Sequence, residues 1–355
     1  MPVALPPSPS LREKIGQLLN VGFRGCLPAE CELIARDIRE HHLGGIILFD
    51  QEMADGSTRR RNIESPDQVR TLLAHLQAQA RVPLLTSIDQ EGGRVNRLKP
   101  DYGFPASISH EELGRLNDPA ETYRHAAATA ETLARAGFNL NLAPVVDLDA
   151  HPDNPIIKGK RRSFSADPEI VARHATEFVR AHRDRGVLAC AKHFPGHGSA
   201  QGDTHLGLVD VTTTWHEREL IPFRRLIDAG FCDVIMSAHV FNARLDADRP
   251  ATLSRAVLTG LLRDQLGFQG VVTSDDMEMK AISRHYGLEN SVPAAIEAGI
   301  DVLCFGNNLS YEPDIAAKTI AILEKAVATG RLPEERLDAS YERVLALKRK
   351  ARLIA

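Results

Sequence analysis

The chain has 355 residues, 43% of them hydrophobic and 25% charged, which is enough to bury one large core, either as a single big α/β unit or as two ordinary domains. Its formal net charge of -4, with 43 Lys and Arg against 47 Asp and Glu, excludes the basic surface that phosphate neutralisation demands, so no nucleic-acid partner is expected. The five cysteines are an odd number and Cys190, Cys232 and Cys304 sit in apolar runs, so no disulfide framework is expected. The opening MPVALPPSPSLREK lacks a basic segment followed by a long apolar one, and no run of about 18 uncharged apolar residues occurs; a soluble, cytoplasmic chain with no membrane partner is the expectation.

In chain order, short apolar β-branched runs fall at 18–23, 45–49, 84–88, 140–146, 187–191, 234–237, 271–274 and 302–305. Segments of helical periodicity separate most of them, at 121–136, 168–185, 217–229, 253–266 and 289–298. Eight strands alternating with helices favour a single (β/α)8 TIM-type barrel over a doubly wound open sheet, with any irregularity expected near its start. Two further helices, 314–328 and 334–350, follow the eighth strand. The second is introduced by Pro333 and ends in Lys348, Arg349 and Lys350, as its dipole prefers. No Gly/Ser-rich or Pro-rich linker and no repeat interrupts the chain, so residues 1–355 read as one domain.

In such a barrel the reactive groups lie after the strands. Asp89, Gln90, Glu91, Gly92, Gly93, Arg94 and Arg97 follow the third run and Asp147 follows the fourth. Lys192 and His193 follow the fifth, His239 the sixth, and Asp275 and Asp276 the seventh. After the fifth run the chain reads KHFPGHGSAQGDTH, with three imidazoles, an acid and three glycines between Lys192 and His205. A lone acid or histidine at a strand end is usually a capping group, and Gly92 with Gly93 forms a turn as readily as a cradle, since no phosphate-loop pattern accompanies them. Arg59, Arg60 and Arg61 read as a solvated face, and Met277 with Met279 as packing. Charged clusters after five of the strands outweigh these separate explanations.

The segments IDQEGGRVNRL (88–98), NLAPVVDLD (141–149), RRSFSADP (161–168), KHFPGHGSAQGDTH (192–205) and VVTSDDMEM (271–279) resemble the β-N-acetylhexosaminidases of glycoside hydrolase family 3, the group that includes the bacterial N-acetylglucosaminidases of cell-wall recycling. The resemblance runs in order from residue 11 to residue 310, and the chain is too short for the second, sandwich domain that many relatives carry. It implies a retaining exo-β-N-acetylglucosaminidase acting on a small carbohydrate, as a monomer, with no cofactor and no metal. It further implies that Asp275 is the nucleophile, that His205 is the general acid/base with Asp203 as its partner, and that Asp89, Arg97, Arg162, Lys192 and His193 hold the sugar hydroxyls.

That chemistry suits the residue types. A covalent glycosyl-enzyme needs a carboxylate and a second group that first gives and then takes a proton. An imidazole with an ordinary pKa of about 6.5 can do both, and a neighbouring Asp fixes its tautomer. Gly196, Gly198 and Gly202 read as hinges, so that His205 is expected far from Asp275 in the absence of substrate. Two departures from the family spacing stand out. Residues 51–60 look like an insertion after the second strand, and 159–162 is one residue longer than usual, so Arg162 is preferred to Arg161 because it abuts Ser-Phe. Three alternatives stay open: a glycoside phosphorylase, a metal-dependent hydrolase using His197, Asp203, His205 and Asp275, and a catalytically silent sugar-binding barrel.

Overall fold

The alternation of short apolar runs with amphipathic helices closes into a ring of eight parallel strands. The computed structural model describes residues 8–53 and 59–355; residues 1–7 and the tip of the 51–60 insertion, residues 54–58, lie outside the described residues. The strands are β1 (Leu19–Gly22), β2 (Gly45–Leu48), β3 (Leu85–Ile88), β4 (Leu140–Asn141), β5 (Leu188–Phe194), β6 (Val234–Ser237), β7 (Val271–Ser274) and β8 (Leu303–Phe305). Each pairs in parallel with its chain neighbour from β1 to β7, and β8 pairs back onto β1. The remaining gap is spanned by a bridge from Thr273 to Val302 and by the Ser274 amide donating to the Val302 carbonyl at 2.9 Å. Every residue of these strands is buried, as expected of a parallel sheet wrapped by helices.

The irregularity lies at β4 and not at the start, where β1 and β2 pair in register. Of the apolar run 140–146 only Leu140 and Asn141 form a ladder. Beyond them single bonds hold the run to its neighbours: the Cys190 amide donates to the Ala143 carbonyl at 2.8 Å, the Lys192 amide to that of Pro144 at 3.2 Å and the Val146 amide to that of Lys192 at 2.8 Å.

Around the ring run α1 (Leu11–Gln17), α2 (Glu32–His41), α3 (Pro66–Gln77), α4 (His110–Leu116), α5 (Pro119–Ala136), α6 (Pro168–Arg183) and α7 (Ile221–Asp228). A π-helix, Ala256–Gln265, occupies the next place, followed by α8 (Lys280–Ala298), which is broken at Gly287. Then come α9 (Ile315–Ala328) and α10 (Glu334–Lys350), the two helices expected after the eighth strand. Their starts are written in the sequence: Ser10, Ser65, Ser109, Asp118 and Asp167 cap α1, α3, α4, α5 and α6 through their side chains. No helix among the described residues is long and apolar enough to cross a membrane.

At the foot of α10 the Lys348 ammonium is fully buried and donates to Gln17 Oε1 at 2.7 Å. With no carboxylate partner, burial pushes its pKa down from 10.5 to about 7. The unfolded chain therefore binds the extra proton between pH 7 and pH 10, so this group opposes folding most at and below neutrality and progressively less as pH rises. Lys348→Met is expected to raise the melting temperature at pH 7 by several degrees and by less at pH 10, read by calorimetry at both pH values. A gain that does not shrink with rising pH would refute the buried-cation account.

Candidate active site

A buried network of alternating charges lines one side of the barrel mouth. Lys192, at the end of β5, donates from Nζ to Asp89 Oδ1 and to Glu91 Oε1, each at 2.7 Å. Arg162 closes a fork on Glu91, with Nε at 2.7 Å and Nη2 at 2.8 Å, and Nη2 also donates to His193 Nε2 at 3.3 Å. His193 Nδ1 then donates to Asp147 Oδ2 at 2.6 Å, which sets the tautomer of that ring. Lys192 and His193 are adjacent on one strand, and consecutive side chains normally point to opposite faces. A register shift between Lys192 and Phe194 against β6 swings both into the mouth. Burial alone would raise the Glu91 carboxyl, but Arg162 and Lys192 hold it well below its ordinary range. Burial likewise opposes the Lys192 ammonium, and Asp89 and Glu91 hold it charged.

Arg97 stands at the rim of this network, with Nη1 3.5 Å from Asp50 and Nη2 4.0 Å from Asp89. Arg162 faces the network, whereas Arg161 turns outward to pair with Glu111.

Asp275 follows β7 on the floor of the mouth, with Oδ1 accepting the Asp276 amide at 2.8 Å. Burial would raise its pKa, but the imidazoles of His193, His239 and His205 more than offset that and hold it at about 2. The next residue behaves oppositely. Burial and the charge of Asp275 push Asp276 up, and burial with Asp276 pushes Glu278 up in turn. Asp276 points away from the mouth, where its Oδ1 takes the amides of Glu278 at 3.0 Å and Gly306 at 3.1 Å. Of the two consecutive acids, the first is the free, ionised one. His239 Nε2 donates to the Asp276 carbonyl at 2.9 Å, while its Nδ1 meets Thr252 Oγ1 at 2.8 Å.

Asp203 and His205 form a pair on the loop after β5. The ring Nδ1 and the amide of His205 both bond to Asp203 Oδ1, at 2.7 and 2.9 Å. Burial raises the Asp203 carboxyl, yet these bonds and the His205 charge bring it below its ordinary value. The His205 side chain is 40% exposed, and its imidazole acts on Asp275 without touching it. The charge of His205 is felt at Asp275, and the loop is tied to the start of α8, where the Ala281 amide donates to the Thr204 carbonyl at 3.2 Å.

The glycines also need correction. Gly196 and Gly198 are not hinges; a Cβ at Gly198 would lie 2.1 Å from the Leu148 carbonyl oxygen, and one at Gly196 2.7 Å from the Glu219 side chain. They permit close packing, and every residue from 191 to 200 is buried. Exposure begins at Gln201 and ends at Val209, which pairs in a short parallel bridge with Val240. Within 201–208 Gln201, Leu206 and Leu208 are exposed, while Thr204 is buried.

Three groups that sequence reasoning left without a role hold this arrangement. Asp147 receives the His197 amide at 2.7 Å and that of His193 at 3.2 Å. Glu219 receives the Gly198 amide at 3.0 Å, and burial, with a contribution from Asp147, pushes its carboxyl up to about 7. Arg61 is not part of a solvated face but 2% exposed; it donates to Glu52 at 2.9 Å and to Asn308 at 3.0 Å, tying the stem of the 51–60 insertion to the loop after β8. Met277 and Met279 are buried packing residues, as read from the sequence. Among the described residues no three His, Cys, Asp or Glu side chains cluster as metal ligands, so the four groups of the metal-dependent alternative do not form a set.

The family model for the Glycosyl hydrolase family 3 N terminal domain matches residues 10–347. β-Hexosaminidase A of Pseudoalteromonas piscicida is 34% identical over 91% of the chain, which spans 56% of that relative, and the β-hexosaminidase of Tolumonas auensis is 38% identical, with 78% of this chain and 80% of that one covered. Among solved structures, a glycoside hydrolase family 3 β-N-acetylglucosaminidase from Paenibacillus sp. superposes with a TM-score of 0.88 at 39% identity, over 98% of this chain and 63% of that one. The β-N-acetylhexosaminidase of Beutenbergia cavernae gives 0.85 at 32% identity, over 96% and 99%.

Glu91 is the shared counter-ion of two buried cations, and its removal strands Arg162 and leaves Lys192 with Asp89 alone. Glu91→Ala is expected to cost about 3–5 kcal/mol in denaturant unfolding. A loss below about 1 kcal/mol would mean that the network does not hold the mouth together.

Proposed function

The chain belongs to glycoside hydrolase family 3, and on that premise we propose that it is a retaining exo-β-N-acetylglucosaminidase that removes terminal β-linked N-acetylglucosamine through a covalent glycosyl-enzyme. The observation that carries this reading is the pairing of an ionised, unpaired Asp275 on the floor of the mouth with a His205 and Asp203 dyad on the loop above it. In the first half-reaction Asp275 attacks the anomeric carbon while His205 gives its proton to the departing glycosidic oxygen, which leaves as an alcohol. The imidazole is then neutral, takes a proton from water, and the resulting hydroxide displaces Asp275 from the sugar. Asp203 stabilises the imidazolium and orients it in both halves, as the acid of a catalytic triad does.

Asp89, Arg97, Arg162, Lys192 and His193 bind the sugar in this reading. Their mutual bonds keep the donors and acceptors in place before the ring arrives, which limits the ordering that binding must impose. Arg97 and Asp89, the most exposed of the set apart from the dyad, present the free edge of the network to the ligand. A role in recycling cell-wall fragments, a cytoplasmic location and a monomeric state follow from the branch of the family that the sequence resembles.

A second reading rests on the imidazole itself. Because neutral histidine, unlike a carboxylate, does not repel an anion, inorganic phosphate in place of water would make the enzyme a phosphorylase. Turnover that depends on phosphate and yields a sugar 1-phosphate would select that reading over hydrolysis.

His205→Ala is expected to slow glycosylation by about 10² to 10⁴-fold for an unactivated disaccharide and much less for a nitrophenyl glycoside, whose leaving group needs little protonation. Equal losses for the two substrates, in pre-steady-state measurement of that step, would remove His205 from the acid role. For the nucleophile, a fluorinated N-acetylglucosaminide analogue should label the peptide containing Asp275. Mass-spectrometric recovery of the label on any other peptide would overturn the assignment.

A further inference from the structure

On the outer wall of the barrel, between the π-helix, the end of α8 and the first half of α10, lies an open cavity of about 610 Å³ lined by Arg249, Arg255, Arg263, Arg331, Arg336 and Arg343. We propose that this cavity is a binding site for a compact polyanion carrying two or more phosphate groups, separate from the catalytic mouth.

Two of the six arginines are built into the wall. Arg336 donates from Nε to the Ile296 carbonyl at 2.9 Å and from Nη2 to that of Ile300 at 2.8 Å, so it caps the end of α8. Arg263 donates to the Gly270 carbonyl at 3.2 Å and to Asp301 Oδ2 at 2.6 Å. The fully buried Asp301 also serves Arg343 at 3.1 Å and Arg336 at 3.6 Å, and is thus one carboxylate shared by three guanidinium groups. Glu297 pairs with Arg331 at 2.9 Å, and beside Arg249 the Asp246 carboxyl, which burial raises, is brought below its ordinary value by Ser254, by the Asp248 and Arg249 amides and by the Arg249 charge. Six cations therefore meet three carboxylates. Among the described residues Arg255 has no carboxylate within ion-pair distance, and it lines the cavity in file with Thr259 and Arg263, four residues apart along the π-helix.

Arginine cannot shed this surplus by losing a proton, because its pKa stays above about 12, and it has donors but no acceptor. The excess charge is met by solution anions or by a ligand. A monocarboxylate is too weakly charged to match three surplus cations, whereas pyrophosphate carries about three negative charges near neutrality, and phosphate oxygens accept the guanidinium fork in pairs. The cavity volume falls in the range of about 300–1,000 Å³ usual for small-molecule sites. The segment Ala256–Gln265 forms one wall of the cavity. The cationic surplus also stands out against a chain whose formal net charge is -4.

Calorimetric titration of the whole protein with inorganic pyrophosphate, and in parallel with citrate and sulfate at matched ionic strength, tests the proposal. Pyrophosphate is expected to bind one to one and at least about tenfold more tightly than the other two, a difference of about 1.4 kcal/mol. Arg255→Gln and Arg331→Gln, both changes at exposed side chains, should each weaken it by a similar factor while turnover of an aryl N-acetylglucosaminide stays unchanged. Pyrophosphate binding no better than sulfate, or binding untouched by both variants, would overturn the site. Citrate equalling pyrophosphate would overturn its phosphate character.

Discussion

One buried carboxylate, Asp147, joins the two halves of the mouth. It stands at the end of the apolar stretch that follows β4, yet everything it holds belongs to β5 and the loop beyond: the His193 ring, the His193 amide and the His197 amide. Burial raises its pKa, but the charge and bonds of His193 and His197 bring it below the ordinary value, so it remains an acceptor on all sides. Through His193 the same carboxylate sets the ring that receives Arg162, and hence the fork on Glu91 and the position of Lys192. Through His197 it pins the root of the loop that ends in His205. The buried charge network and the loop that carries Asp203 and His205 therefore share an anchor, and a shift of β4 relative to β5 would disturb both together.

That anchor explains how the loop divides. A segment rich in glycine reads as flexible when only its sequence is considered, because glycine tolerates positive φ and has little to hold it. Here Gly196 and Gly198 serve the opposite purpose: with no Cβ they let the backbone lie directly on Leu148 and Glu219, where the amides find buried acceptors. Between the buried Ala200 and the Val209 bridge the chain is held once more at Thr204, which is buried and whose carbonyl accepts the Ala281 amide at 3.2 Å.

The barrel was legible because its strands are properties of single segments: a run of β-branched residues ending in a charge needs no partner to be recognised. Asp89, Lys192, His193 and Asp275 follow such runs, whereas Arg97, Arg162, Asp203 and His205 were singled out by the resemblance, and the structure joins Asp89, Arg97, Arg162, Lys192 and His193 in one network. What stayed illegible depends on pairs remote in sequence. Arg61 looked like one of three solvated arginines because its acceptor Asn308 lies 247 residues away. Glu219 falls in the segment of helical periodicity at 217–229, and only the approach of Gly198 reveals it as a support of the loop. The shortness of β4 was likewise hidden, since an apolar run with one proline reads as a continuous strand until its ladder is seen.

The consecutive acids Asp275 and Asp276 carry the argument furthest. Nothing in Ser-Asp-Asp distinguishes them by composition, and two carboxylates so close cannot both remain cheaply ionised. The backbone decides between them. After β7 the chain turns so that Asp276 accepts two amides and faces a second raised acid, Glu278, while Asp275 is left facing three imidazoles. The negative charge is thereby placed on the residue with free lone pairs in the mouth, and the protonation burden on its neighbour. In the proposed mechanism the lowered Asp275 carboxyl would also be a stable carboxylate leaving group, so the environment that keeps it ionised would serve both the formation and the breakdown of a glycosyl-enzyme.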